Sequence, residues 1–310
     1  MSPDEQPVTD EQTALDIMAG PYDNESEIDP RTVSVRFSNL KCIGQSPMHY
    51  MHAVQHGYEE TLPMRLGSGV HAMLFDQPWT VWTGSGTGKK PVRNGKVWDA
   101  FERDNIDKCI LSIGEYRKAR AISEAVKRKE RAYELLTEGV REAPINWTCL
   151  GRACASRPDV RNPGRIVELK STKCAEPGRF ARDGRWRAYH AQLAFYLDAV
   201  IQSGLGTPDR AYIVAVESAP PYPVTVLRLT ERAIDIGRRM CRLWLEQLLA
   251  CEAEEYWPGY LESDAEFDIP DEEGSLIIDG ETVSLGGEAN DNAPSTMFEE
   301  VSDDSDEQLF

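Results

Sequence analysis

The order of strand and helix patterns in the second half of the chain constrains the fold more than any other feature. Short apolar runs bounded by turn residues predict five strands. They span residues 145–150, 152–160, 165–171, 210–218 and 223–230. Apolar residues at every third or fourth position predict one helix between the third and fourth strands and another after the fifth, at residues 185–204 and 231–257. This order predicts an α/β fold in which a central mixed β-sheet is flanked by helices.

The first half of the chain is predicted to be largely helical. A helix pattern begins at Ser38, and a second covers residues 64–76 and carries His71. Residues 97–136 are predicted to be helical in two stretches, at residues 97–104 and 114–136. The glycine-rich stretch at residues 83–96 is predicted to be a loop.

Charge divides the 310 residues into three segments. Residues 1–30 contain nine acidic and no basic residues, and residues 261–310 contain seventeen acidic and no basic residues. Both segments have few large apolar side chains, so we predict two acidic disordered tails. Residues 31–260 keep 26 acidic and 34 basic residues, a net charge of +8 against −18 for the whole chain. We predict one domain there, with a charge that suits either a polyanionic partner or a solvated basic surface.

Composition excludes several classes of protein. No run of about 18 apolar residues occurs, so we expect no membrane span. The N-terminal sequence "MSPDEQPVTDEQ" lacks the basic start and apolar stretch of a signal peptide, so we expect a cytoplasmic protein. The seven cysteines include no Cys-x-x-Cys pair, which argues against a zinc finger or zinc ribbon.

Three charged residues lie on or beside the third strand pattern. Glu168 and Lys170 are two positions apart, so they point to the same face of a strand, whereas Val167 and Leu169 point to the other. The turn sequence Arg-Asn-Pro-Gly lets the chain double back and brings Asp159 beside Glu168. Two adjacent carboxylates repel each other, and a divalent cation such as Mg²⁺ removes that conflict. With a lysine that orients water and offsets transition-state charge, the pattern predicts a phosphodiesterase site.

The same residues have a plainer interpretation. A carboxylate paired with a lysine on an exposed sheet face is an ordinary salt bridge, and short motifs recur by chance. His71, taken alone, is more often a hydrogen-bonded core histidine than a ligand. Gln192 and Tyr196, taken alone, are helix residues that pack against the sheet.

Seven stretches in order resemble a known nuclease family. They are "SNLKCIGQSPMHY", "RLGSGVHAMLFD", "GRACASRPDV", "RIVELKST", "YHAQLAFYLDAV", "YIVAVESAPPYPVTVLRL" and "EEYWPGY". Together they resemble the RecE-like exodeoxyribonucleases (exodeoxyribonuclease VIII) of phages and prophages, within the PD-(D/E)xK nuclease superfamily. Lambda-exonuclease-like enzymes are more distant relatives. The resemblance extends over roughly residues 35–260 and implies a PD-(D/E)xK nuclease core for residues 31–260.

The resemblance implies a role for each matched position. The implied metal ligands are His71, Asp159, Glu168 and the backbone carbonyl of Leu169. The implied catalytic residues are Asp159, Glu168, Lys170, Gln192 and Tyr196. Lys170 corresponds to the catalytic lysine, and Gln192 and Tyr196, four apart on one helix face, orient it or the substrate backbone. Close relatives more often carry Asp at the position of Glu168, but Glu lies within the family pattern, so we expect activity to be retained.

The resemblance also implies an activity. It is a Mg²⁺-dependent exonuclease, with Mn²⁺ as a substitute, that resects linear double-stranded DNA 5′→3′ and leaves 3′ single-stranded tails. The implied partners are DNA ends, a single-strand annealing protein and further copies of the chain in a ring. Some related nucleases hold an iron–sulfur cluster on one early and three late cysteines; only Cys241 and Cys251 lie late here, so we expect no cluster. A Cas4-like or structure-specific nuclease and a catalytically inert DNA-binding or adaptor protein stay open as alternatives.

Six basic residues are candidates for contacts with DNA phosphates. They are Arg179, Arg182, Arg185 and Arg187 around Trp186, and Lys89 and Lys90 in the glycine-rich loop. That loop is not a P-loop, because Thr83 stands where the first glycine is required and Lys90 where Ser or Thr is required. For the four arginines, a solvated basic surface is an equally good interpretation.

Overall fold

A computed structural model describes residues 28–58, 60–84, 91–260 and 264, and two strands at residues 275–278 and 281–284. The chain divides into two compact units, residues 1–260 and 261–310. In the second unit, β11 (Ser275–Ile278) and β12 (Glu281–Ser284) pair antiparallel. The predictions for the acidic tails, and for Lys89 and Lys90, otherwise lie outside the described residues.

The described part of the first unit contains nine α-helices and ten strands. The helices are α1 (Phe37–Ile43), α2 (Pro47–His56), α3 (Leu62–Leu74), α4 (Gly95–Arg103), α5 (Ile113–Arg128), α6 (Glu130–Thr137), α7 (Pro177–Trp186), α8 (Tyr189–Gln202) and α9 (Glu231–Glu254). The strands are β1 (Val35–Arg36), β2 (Trp79–Trp82), β3 (Cys109–Ser112), β4 (Val140–Arg141), β5 (Ile145–Cys149), β6 (Arg152–Ser156), β7 (Val160–Asn162), β8 (Arg165–Thr172), β9 (Arg210–Glu217) and β10 (Val224–Arg228). None of the described helices combines the length and apolarity needed to cross a bilayer.

A five-stranded mixed sheet in the order β10-β9-β8-β7-β4 lies at the centre of the first unit. Its two long strands, β8 and β9, run parallel from the Arg165–Arg210 pair to the Thr172–Glu217 pair. The other neighbours are antiparallel. Because parallel strands need a crossover, the chain passes through α7 and α8 between β8 and β9. The predicted α/β fold, with a central mixed sheet flanked by helices, is confirmed.

Apolar side chains cover both faces of the central sheet. On one face, Ile166 and Ile213 belong to a core that includes Leu197 of α8 and Leu245 of α9. The opposite face contributes to a second core, whose members include Val167, Leu169, Val214, Leu111, Ile122 and Leu135. A charged side chain in the middle of β8 is therefore enclosed by protein, and its burial needs a compensating partner.

One local prediction is wrong, and one pair of strands was not predicted. The single strand predicted over residues 152–160 is two strands in different sheets, with Pro158 between β6 and β7. Proline has no N–H for a sheet ladder, so it separates the two pairings. The strand β3, which pairs in parallel with β2, was not predicted and lies between the two helical stretches predicted at residues 97–104 and 114–136. The partner strand β2 lies about thirty residues earlier in the chain, so the local sequence pattern does not reveal the pairing.

Candidate active site

Asp159 and Glu168 lie side by side where the β7–β8 hairpin begins and ends. Val160 pairs with Val167, so the next pair along the hairpin is Asp159 with Glu168. Asn162 closes the turn, because its Oδ1 accepts hydrogen bonds from two following backbone N–H groups, both at 3.0 Å. The predicted doubling back of the chain is thus present.

Backbone donors fix both carboxylates. The N–H of Asp159 donates to Glu168 Oε1 at 3.1 Å. The N–H of Leu169 donates to Asp159 Oδ2 at 2.7 Å. Each acid is thus held by the strand that carries the other, so the two side chains cannot move independently.

Glu168 and Lys170 form a buried ion pair. Lys170 Nζ donates to Glu168 Oε2 at 2.8 Å, and the two side chains are 18% and 3% exposed. The ammonium also lies 5.2 Å from the centre of the Tyr189 ring, within the range of a cation–π contact. Burial lowers the pKa of Lys170, but the Glu168 and Asp159 carboxylates outweigh it and raise the pKa overall. The lysine is therefore a fixed positive charge.

His71, Glu142 and Asp159 form a cluster that offers three metal-ligand atoms within 4.8 Å of one another. His71 Nδ1 is 3.4 Å from Glu142 Oε1 and 3.6 Å from Asp159 Oδ1. His71 comes from α3, so an element outside the sheet completes the cluster.

Glu142 is held in the cluster by the edge of the central sheet. Its N–H donates to the carbonyl of Asp159 at 2.9 Å, directly after the two pairs that join β4 to β7. Its φ of 45° lies in the left-handed region, which is uncommon for a residue with a side chain. Glu142 Oε2 is buried and, among the described residues, has no hydrogen-bond partner. A buried acceptor left open in this way fits a position that takes a cation.

The acids and the histidine shift one another's ionisation. Burial, together with the nearby Glu168 carboxylate, raises the pKa of Asp159 to about 7. Burial lowers the pKa of His71, but Asp159 and Glu142 outweigh it and raise the pKa overall. Burial raises the pKa of Glu142, but His71 and Arg157 outweigh it and the net shift is downward. Negative charge is concentrated at this site, which favours a bound cation.

Two cavities open onto the site. One, of about 590 Å³, is lined by the His71–Glu142–Asp159 cluster and by residues of α3, including Met64 and Ser68. The other, of about 520 Å³, lies on the side of α1 and α8. The residues common to both linings are Glu142, Arg157 and Lys170.

Gln192 and Tyr196 line the second cavity together with Lys170. One turn apart on α8, they are joined by a hydrogen bond from Gln192 Nε2 to the Tyr196 hydroxyl at 3.1 Å. Burial, with the nearby Glu168 carboxylate, raises the pKa of Tyr196, so its hydroxyl stays protonated near neutral pH.

The model of one protein family matches residues 36–266, which is most of the chain, and that family is described as a "PDDEXK-like domain of unknown function (DUF3799)". This chain belongs to the PDDEXK-like family DUF3799. The predicted membership of the PD-(D/E)xK superfamily is thereby confirmed. No curated protein sequence matches the chain.

One solved structure agrees in fold with this chain, and a second matches it only weakly. A protein from Eubacterium rectale, described as a "Putative exonuclease", superposes with a TM-score of 0.54 and 15% identity, over 76% of this chain and 91% of that one. An alkaline exonuclease from Laribacter hongkongensis matches with a TM-score of 0.28 and 13% identity, over 43% of this chain and 69% of that one. The first similarity supports the fold, whereas the second is too low to support an argument.

The PDDEXK-like domain brings the predicted site residues into one region. Asp159, Glu168 and Lys170 form the contacts that strand periodicity predicts, but the Glu168–Lys170 pair is buried rather than on an exposed sheet face. Leu169 lines the first cavity beside His71. The cluster that can hold a metal contains Glu142 in place of Glu168, and sequence analysis missed Glu142. Its only signal in the sequence was an acidic residue three positions before the strand pattern at residues 145–150.

The predicted DNA contacts lie in different places. Arg187 lines the second cavity, whereas Arg179, Arg182 and Arg185 are exposed on α7 and line neither of the two cavities. Three basic residues that sequence analysis did not single out line the second cavity: Arg36, Lys41 and Arg157. The two cavities therefore draw most of their positive charge from segments other than α7.

Proposed function

We propose that this PDDEXK-like protein is a metal-dependent deoxyribonuclease that hydrolyses phosphodiester bonds in linear double-stranded DNA. The observation that carries the proposal is the His71–Glu142–Asp159 cluster, which opens into a cavity beside the charged Lys170. Enclosed acids with shifted pKa values in a cleft are typical of catalytic sites.

The donor set fits a divalent cation. Glu142 and Asp159 offer the carboxylate oxygens that Mg²⁺ and Mn²⁺ prefer, and His71 adds an imidazole nitrogen. We assign Mg²⁺ as the cofactor and Mn²⁺ as a substitute. From the family resemblance, Glu168 and the Leu169 carbonyl stay in the proposed ligand set. Each Glu168 oxygen keeps a second lone pair beside the hydrogen bond that it accepts, so Glu168 can still bind a cation.

The residues around the cluster have distinct proposed roles. The cation, when bound, polarises the phosphodiester and lowers the pKa of its water. Lys170, fixed by Glu168, orients the attacking water and offsets the negative charge that develops on the phosphate. Gln192 and Tyr196 line the second cavity beside Lys170 and orient the lysine or the DNA backbone.

The proposed substrate is a DNA end. The net charge of +8 over residues 31–260 and the basic lining of the second cavity both suit a polyanion. From the RecE-like resemblance we further propose 5′→3′ resection that leaves 3′ tails, transfer of those tails to a single-strand annealing protein, a ring-shaped oligomer and a cytoplasmic location.

A comparison of linear and circular duplex DNA tests this proposal. We expect the protein to degrade linear DNA with Mg²⁺ or Mn²⁺, to spare covalently closed circles and to be inactive with a chelator. Strand-specific end labels then show the polarity. Cleavage of the circle indicates a Cas4-like or structure-specific nuclease instead, and binding of DNA without cleavage under any metal condition indicates an inert adaptor.

A further inference from the structure

Arg157 faces the open oxygen of Glu142 at a long distance. Its Nη2 is 3.6 Å from Glu142 Oε2, longer than an ordinary N–H···O hydrogen bond. Among the described residues, that oxygen has no hydrogen-bond partner. The Arg157 side chain is 58% exposed, whereas that of Glu142 is 13% exposed. A solvent-exposed guanidinium thus supplies charge to a buried carboxylate without being fixed by it.

Arg157 also lies where the two cavities meet. It and Lys170 are the two basic residues that line both cavities. Lys170 is fixed by Glu168 at 2.8 Å, whereas Arg157 has five N–H donors and a long contact with Glu142. Of the two, Arg157 is therefore the residue that can change partner.

We infer that Arg157 exchanges between two anions, Glu142 in the metal-free protein and a DNA phosphate once a divalent cation is bound. A cation on the cluster satisfies Glu142 Oε2 and repels the guanidinium, which then pairs with a phosphate oxygen, an anion that suits its planar fork. The inference rests on the proposed function and deepens it: metal and Arg157 compete for Glu142, and metal binding prepares the contact with DNA.

Calorimetry with Mn²⁺ alone tests the competition, because its readout does not depend on hydrolysis. Arg157→Ala removes the competing charge, so we expect Mn²⁺ to bind about two- to fivefold more tightly without DNA, the range that a partly exposed ion pair supports. Arg157→Lys keeps the charge and should stay close to the wild type. Arg36→Ala is the matched control, because Arg36 lines only the second cavity.

Arg157→Ala should strengthen metal binding but weaken DNA binding. With Ca²⁺ in place of Mg²⁺, and intact duplex confirmed on a gel, Arg157→Ala should bind a linear duplex about tenfold more weakly, because a charge-assisted contact is lost. Arg36→Ala should also weaken DNA binding, but without tighter metal binding. The gain in DNA affinity that Ca²⁺ gives the wild type should shrink in Arg157→Ala and stay unchanged in Arg36→Ala.

These outcomes separate the inference from the proposed function. If the wild type binds Mn²⁺ and cuts DNA but Arg157→Ala binds Mn²⁺ no more tightly, the inference is overturned and the nuclease proposal stands. Unchanged DNA affinity in Arg157→Ala also overturns the inference. If the wild type binds no divalent cation, the proposed function itself fails.

Discussion

At the scale of single residues, Glu168 links the two halves of the site. One of its oxygens accepts a hydrogen bond from the Asp159 N–H, and the other accepts one from Lys170 Nζ. Under the proposed function, a change at Lys170 alters catalysis and also leaves a buried carboxylate without its counter-charge. Stability and activity must be measured separately at this position.

Lys170→Ala should reduce the single-turnover rate of DNA hydrolysis by at least about a hundredfold, the typical effect of removing one preorganised electrostatic group. DNA binding should survive. The double variant Lys170→Ala/Glu168→Gln is the control, because it removes the uncompensated charge and should recover stability without recovering rate. A wild-type rate in folded Lys170→Ala contradicts the role given to this lysine.

The loss of metal affinity on substitution should distinguish Glu142 and Asp159 from Glu168. Glu142→Gln and Asp159→Asn each remove a cluster carboxylate, so we expect Mn²⁺ affinity in calorimetry to fall at least about tenfold. Glu168→Gln should reduce affinity less, because Glu168 lies outside the three-residue cluster and already accepts two hydrogen bonds. Equal losses in all three variants would place Glu168 among the primary ligands, as the family resemblance implies.

The sequence predicted those site residues whose positions depend on local strand and turn geometry. Glu168 and Lys170 share a strand face because side chains alternate, and a four-residue turn brings Asp159 beside Glu168. Glu142 could not be predicted in the same way. It follows a strand of two residues, β4, and its position depends on an edge pairing with β7 and on a positive φ.

At the scale of secondary structure, the first turn of α5 contains a charged residue, Glu115, that both caps the helix and makes a tertiary contact. Ser112 and Glu115 form a capping box, with hydrogen bonds of 3.2 and 2.7 Å in opposite directions. Arg93 donates to the same carboxylate at 2.7 Å and so ties the segment before α4 to the start of α5. Glu115 thus stabilises one helix and one tertiary contact.

The pH dependence of stability should reveal this double role. Burial raises the pKa of Glu115, but the Ser112 hydrogen bonds and the Arg93 charge outweigh it and lower the pKa overall. A lowered folded-state pKa adds stability above the unfolded value, about 4.3, and that stability is lost as the pH falls through the folded value. Glu115→Gln should therefore lose about 1 kcal/mol of unfolding free energy at pH 7, and the deficit should shrink as the pH falls below the unfolded pKa.

Urea denaturation from pH 7 down to pH 3.5 measures that deficit. Glu124→Gln is the control, since Glu124 pairs with Arg120 on the exposed face of the same helix at 2.8 Å. It should change stability by less than about 0.5 kcal/mol at every pH. A Glu115→Gln deficit that does not depend on pH would show that the charge contributes nothing.

Sequence patterns predicted the long helices and strands better than the short strands. The long strands β8 and β9 and the helices α8 and α9 have strong periodicities and were predicted within a few residues. The β2–β3 pair was missed, because both strands are four residues long and they are far apart in sequence. Local patterns specify elements with one buried face, whereas short strands depend on partners that only the folded chain supplies.

At the scale of the whole domain, a buried ion pair joins distant parts of the chain. Arg152 on β6 donates from Nε to both oxygens of Glu252 on α9, at 3.1 and 3.2 Å. Its guanidinium also donates to the carbonyls of Pro30 and Val33. One side chain thus connects the segment before β1, strand β6 and the last helix.

Glu252→Gln should destabilise the domain by about 3–5 kcal/mol, because it leaves a buried guanidinium uncompensated. Urea denaturation measures the loss. The exposed Arg242–Glu246 pair on the same helix is the matched control, and Glu246→Gln should cost less than about 0.5 kcal/mol. A Glu252→Gln cost no larger than the control value would mean that the buried pair does not hold these segments together.

The measurement that tests the central claim most directly is the single-turnover hydrolysis of an end-labelled linear duplex across a Mg²⁺ titration. The rate should rise from zero in chelator and saturate at the Mg²⁺ concentration at which calorimetry shows the cluster to be filled. Asp159→Asn should shift the titration to higher Mg²⁺ concentration while the variant stays folded. Hydrolysis that persists in chelator, or a folded wild type that cuts no DNA at any Mg²⁺ or Mn²⁺ concentration, would contradict the assignment of this site as a metal-dependent nuclease centre.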